Sequence, residues 1–184
     1  MSHGFELPGS AQPFELPRVG VVAACARAMA WLNERLLLAA TLAIVAAAAI
    51  LTGSVVTRYV LKVPTDWQDE ASVFLMVGAT FLSGAYVQSQ RGHVGIAALA
   101  SVLPPRVNRW RVALADAVSF LFCTLYSWKS WTLLREAIVD GQTTSSAWAP
   151  PLWIPYGFMA VGMTLVAIQL LLQTVAHFST REGP

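Results

Sequence analysis

The residues best suited to chemistry cluster around one short segment, in which Arg58-Tyr59 is followed by Trp67-Gln68-Asp69-Glu70. Asp69 and Glu70 stand where a helix is expected to begin, with Thr65 or Asp66 placed to cap it. Their charge therefore meets the positive end of the helix dipole, and that alone accounts for the acids. The other chemistry open to Glu70, at the membrane edge, is an ion pair with Arg58 or with a basic group on a partner. A second polar group, Gln90-Arg91-Gly92-His93, follows the next apolar run. Arg91 and His93 suit lipid headgroups and the negative end of a helix. His93 and His177 fall on one side of the expected membrane, where they are the pair a shared metal or haem would use. A haem pair, however, ordinarily requires facing histidines buried within the spans.

Beyond these residues no enzymatic constellation is present. The sequence has no paired-carboxylate site, no Ser/His/Asp arrangement at a recognisable turn, no glycine loop for phosphate and no Cys/His cluster. Neither a cofactor nor a metal is expected. The two cysteines, Cys25 and Cys123, lack metal-ligand spacing and read as free apolar thiols. A net charge of +2 is too small to imply a nucleic-acid partner.

These residues must be held by helices in lipid. Leu36 to Thr57 and Ala71 to Gln90 carry no charge, Val112 to Leu134 carries only Asp116 and Lys129, and Pro151 to Ala176 again carries none. A hydrocarbon core of about 30 Å takes about 20 helical residues, and unpaired backbone groups in lipid exclude isolated strands. The chain is 56% hydrophobic and 12% charged, so a soluble bundle would lack the charges its outer faces need. The sequence thus predicts an all-α integral membrane protein with four transmembrane helices, spanning about 36–57, 71–90, 112–134 and 151–176. Asp116 and Lys129 lie about 20 Å apart along their helix, too far to pair with each other. Arg109, seven residues before Asp116, is its expected partner. So few intramembrane polar groups make transport by this chain alone a poor reading.

Residues 1–18 are rich in Pro and Gly, repeat Phe-Glu-Leu-Pro at 5–8 and 14–17, and lack the basic start and apolar core of a secretion signal. A flexible cytoplasmic tail is expected there, followed by a single four-helix membrane domain over 19–180. One helix from Val19 to Tyr59 would be about 60 Å long, twice the hydrocarbon thickness. The sequence therefore predicts an N-terminal interfacial helix that bends into the first span near Trp31–Arg35; one long protruding helix is the alternative.

With four spans, eight of the twelve basic residues fall on the side of the termini and four on the other. This favours both termini inside the cell. All seven tryptophans fall near expected water boundaries, where an amphipathic ring is at home. In the second span Ala71, Gly78 and Ala85 recur every seven residues, while Ala79–Ser83 and Thr80–Gly84 are small pairs four apart. Small residues let helices approach closely in lipid. Two such stripes on one helix suggest neighbours on more than one side.

This order of features resembles the small membrane subunit, DctQ type, of tripartite ATP-independent periplasmic (TRAP) transporters. The resemblance covers about residues 30–176. It rests on Arg58-Tyr59, Trp67-Gln68-Asp69-Glu70, Gly84-Ala85-Tyr86, Arg91 with His93-Val94-Gly95-Ile96, and Ser145-Ser146-Ala147-Trp148 through Pro151-Leu152-Trp153-Ile154-Pro155-Tyr156. One departure is Ala97, where the family often has an acid. The resemblance implies a non-catalytic subunit of the bacterial inner membrane. Its partners would be a large multi-span permease subunit, a periplasmic substrate-binding protein and membrane lipid. Uptake of an organic acid would be driven by a sodium gradient. Arg58, Trp67, Glu70, Gly78, Gly84, Arg91 and His93 would serve partner contact or structural anchoring. From a different class, the alternative is a haem- or quinone-binding anchor of an electron-transfer complex, built on His93 and His177.

Overall fold

A computed structural model describes residues 21–63, 65–90 and 105–179, excepting the side chains of 21, 22, 66, 105, 106, 108–113 and 175–179. Among these residues the chain forms four α-helices: α1 (Val21–Val56), α2 (Asp66–Ser89), α3 (Pro105–Val139) and α4 (Trp153–Ser179). A π-helical turn over Thr57–Leu61 extends α1. Residues 1–20 lie outside the described residues, as do 91–104.

The expected break near Trp31–Arg35 is absent. α1 runs through it as one helix of 36 residues, about 54 Å by the helical rise. The reason is local: no glycine or proline occurs between Val21 and Thr52, and alanine and leucine dominate. Arg35 lies over the Trp31 ring one turn earlier, 5.5 Å from its centroid, which stabilises the helix where the bend was expected.

Among the described residues, three helical stretches are long and apolar enough to cross a membrane: Ala23–Leu61, Trp67–Ser89 and Trp153–Thr174. The third expected span is different. α3 has the length, with 35 residues. Asp116, Lys129 and its many Ser, Thr and Trp residues keep it less apolar than the others.

The helices do not close into a four-cornered bundle. α1 packs on α2, α2 on α4, and α4 on α3, with only a light contact between α1 and α4. The spatial order is therefore α1–α2–α4–α3. In lipid, apolar area drives helices together weakly, so small residues make the seams. The buried seam of α1 is Ala26, Asn33, Ala40, Ala47 and Ser54, one residue every seven. On α3, Ser127, Ser130 and Ala137 are buried, while most larger side chains point outward.

The α2–α4 seam is the tightest. A Cβ on Gly162 would overlap the Phe81 carbonyl oxygen and stand 2.6 Å from its carbonyl carbon. Glycine is required there because two backbones nearly touch. The small stripes expected to serve two sides of α2 include residues of this same seam. Gly78 would meet Phe158 and Gly84 would meet Val166, both of α4, at 3.2 Å.

Candidate functional site

The C-terminal end of α1 and the N-terminal end of α2 hold a compact polar cluster. α1 ends in the π-turn, and Lys62 reverses the chain in a left-handed conformation, φ 53°. Thr65 then occupies the N-cap position of α2. Its hydroxyl makes no cap bond but is buried and used across the helix pair. It accepts from Ser54 Oγ at 2.9 Å, from Arg58 Nη2 at 2.9 Å and from Arg58 Nε at 3.3 Å. Asp69 closes the cluster: its Oδ2 accepts from Arg58 Nη2 at 2.8 Å and its Oδ1 from Ser54 Oγ at 3.3 Å.

This arrangement corrects the expected Arg58–Glu70 pair, since Arg58 takes Asp69. Asp69 lies four residues after Thr65 and shares its face, whereas Glu70 is turned about 100° further around the helix. Glu70 instead buries its Oε2 without any hydrogen-bond partner among the described residues. Gln68 Oε1 is in the same position.

Beside the cluster stands the loop between α3 and α4. Gly141, at φ 61°, ends α3 in a Schellman turn, with Gln142 N–H donating to the Ala137 carbonyl at 3.0 Å. The loop closes on itself through Thr144 N–H to Pro150 O and Leu152 N–H to Gln142 O. Ser146 Oγ accepts from Ala149 N–H at 3.1 Å, which holds Ala149 at φ 47°. This fold presents Trp148 edge-on to Trp67, with ring centroids 6.4 Å apart. Both rings remain about half exposed. The two connections therefore meet at one end of the helix row.

The opposite end is held by buried amides, three of them within the apolar runs and Asn33 just before the first. Gln88 Nε2 donates to Gln173 Oε1 and Gln173 Nε2 to the Gln88 carbonyl, both at 3.0 Å. Asn33 Nδ2 donates to Gln169 Oε1 at 3.3 Å, tying α1 to α4. All four side chains are buried. The sequence reading overlooked them because it weighed only charges inside the spans. For Gln88, Gln169 and Gln173, amides in an uncharged apolar run were the available signal.

Of the residues singled out from sequence, Arg58, Trp67 and Glu70 come together at the first end, while Gly78 and Gly84 lie inside the α2–α4 seam. Arg91 and His93 lie outside the described residues, and so does the side chain of His177. The Asp116–Arg109 pair falls on an undescribed side chain as well. Among the described residues, no group of three or more His, Cys, Asp or Glu could hold a metal ion.

Residues 47–180 match the family described as tripartite ATP-independent periplasmic transporters, DctQ component. The chain belongs to the DctQ family. The match begins within α1 and takes in both connections at the Arg58–Asp69 end, the α2–α4 seam and α3. DctQ proteins are transporter components, and an all-helical membrane fold agrees with that. No curated protein matches the chain.

Proposed function

We propose that this chain is the small, non-catalytic permease subunit that steadies the large multi-span subunit of a TRAP transporter. The complex imports an organic acid delivered by a periplasmic binding protein, using a sodium gradient. The observation that carries this reading is the DctQ match over residues 47–180. The helix row supports it, because each broad side of a row can face lipid or another subunit. In this reading α3 crosses the bilayer alongside α4, both termini lie in the cytoplasm, and the Arg58–Asp69 end faces the periplasm of the inner membrane. Residues 1–18 form the tail and 19–180 the membrane unit.

Within that unit, Arg58, Asp69 and Thr65 fix the α1–α2 reversal. Gly78 and Gly84 set the spacing of α2 from α4. Trp67 and Glu70 remain for the large subunit, with Arg91 and His93 as anchors at the cytoplasmic end. A buried carboxylate oxygen without a donor favours a cationic or N–H group from a partner. The substrate would not touch this chain.

The test is affinity capture of the tagged chain from gently solubilised native membranes, with mass spectrometry of what accompanies it. A large multi-span permease in near-equal amount is expected. Recovery of a flavin or iron–sulfur enzyme in its place would overturn the reading in favour of the redox anchor.

A further inference from the structure

Between α3 and α4 runs a groove of about 350 Å³. Phe120, Thr124, Trp128 and Trp131 line it from α3, and Ile168 and Leu171 from α4. Its floor is polar but fully used. Ser127 Oγ and Thr164 Oγ1 are 2.8 Å apart, Trp131 Nε1 donates to Thr164 Oγ1 at 3.0 Å, and Thr164 returns a bond to the Ala160 carbonyl at 2.7 Å. Thr124 likewise bonds back to the Phe120 carbonyl at 2.7 Å. An occupant therefore meets hydrocarbon and aromatic surface only.

Three features say what fits. α4 is one of the helices apolar enough to cross a membrane, so the groove lies at bilayer depth. From Phe120 to Trp131 it follows α3 for about 16 Å, close to half of a 30 Å hydrocarbon core.

The third feature is charge. Arg135 follows Trp131 by four residues and Trp128 by seven, which places it on the same face, about 6 Å beyond the groove's end. Side chains on a helix lean toward its N-terminus, which brings this guanidinium back over Trp131. Arg135 is exposed and makes no hydrogen bond or ion pair among the described residues. An unpaired guanidinium at the membrane edge is a phosphate-binding group.

We propose that this groove holds one acyl chain of an anionic phospholipid, with its phosphate on Arg135 and the chain lying between Trp128, Trp131 and Ile168. The lipid belongs to the leaflet at the Arg135 end of α3.

The experiment places a photo-crosslinking p-benzoylphenylalanine at Ile168 in the full complex, reconstituted in bilayers of phosphatidylglycerol and phosphatidylethanolamine. The same label at Leu42, on the outer face of α1, reports bulk lipid. Phosphatidylglycerol adducts at position 168 are expected to be enriched about five-fold over those at 42, the equivalent of the ~1 kcal/mol that one basic residue contributes near an anionic surface. Arg135→Gln should return the ratio to that at 42. Equal ratios at the two positions, enrichment that survives Arg135→Gln, or a crosslink from 168 to a protein chain would each overturn the proposal. Native mass spectrometry of the otherwise unlabelled complex provides a second measure. One phosphatidylglycerol should remain bound with Arg135 and be lost with Arg135→Gln, and equal retention would overturn the assignment.

Discussion

Arg58 of the π-turn reaches Asp69 of α2 at 2.8 Å and leaves the neighbouring Glu70 with a buried oxygen that no described residue satisfies. Two adjacent acids thus do different work. Both partners of the ion pair are about half exposed, at 56% and 48%, so solvent screening holds its own value to about 0–1 kcal/mol. Thr65→Val should cost more, about 1–3 kcal/mol, because Ser54 and Arg58 lose a buried acceptor. Denaturant unfolding of the purified subunit would show whether Thr65→Val outranks Asp69→Asn. The reverse order would mean that the charge pair, not the threonine, closes the turn.

Glu70→Gln separates stability from assembly. With its buried Oε2 unpartnered among the described residues, the carboxylate should be replaceable without loss of unfolding stability. Recovery of the large subunit in affinity capture should fall several-fold if a basic group meets Glu70 there. Unchanged recovery would remove Glu70 from the interface.

The amide pair at the other end predicts non-additivity. Gln173→Leu strips Gln88 of both a donor and an acceptor and should destabilise by about 1 kcal/mol, within the range found for interhelical bonds in membranes. Gln88→Leu with Gln173→Leu should be milder than the sum of the single changes, since no buried amide is left facing an apolar side chain. A double-mutant cycle in detergent measures the coupling, and strict additivity would argue against the bond.

Two glycines should respond in opposite directions. Gly162→Ala drives a methyl into the Phe81 backbone, which cannot swing aside as a side chain can, so a loss of about 1–3 kcal/mol is expected. At Gly53 a Cβ meets nothing within 4 Å, and Gly53→Ala should stabilise α1 by roughly 0.5–1 kcal/mol. Thermal unfolding of the two variants side by side tests both signs.

Lys62 offers a test of backbone strain. A side chain at φ 53° costs about 1 kcal/mol relative to glycine. Lys62→Gly should therefore raise stability slightly, and Lys62→Val should lower it. The opposite ranking would place the stability of this turn in the lysine side chain.

Much of this was legible in the sequence, for identifiable reasons. Uncharged runs long enough to cross a bilayer announce helices whatever packs on them. Which of two consecutive acids meets Arg58 was not legible. The choice turns on a helical phase set by the π-turn, and one residue of phase redirects a side chain by about 100°. The unbroken course of α1 past Trp31–Arg35 could have been read from the lack of Gly and Pro between Val21 and Thr52, but comparing its length with the bilayer argued the other way. Its seven-residue seam was hidden for a different reason: among so many alanines, Ala26, Ala40 and Ala47 look like their neighbours, and only Asn33 and Ser54 stand out. The α1–α2–α4–α3 order was out of reach, because small stripes say how closely helices pack but not with whom.

That order has a consequence for how the chain is made. A ribosome delivers the helices as α1, α2, α3, α4, so α1 and α2 can pair as soon as both exist. α3 comes next, the least apolar of the four, and the surface on which it leans has not yet been synthesised. If α3 crosses the bilayer, it has no packing partner there until α4 arrives between it and α2. A chain ended after Val139 should accordingly leave α3 only partly inserted in a translocon assay, and extension through α4 should restore it. Complete insertion of the shortened chain would show that α3 needs no later neighbour to stay in the membrane.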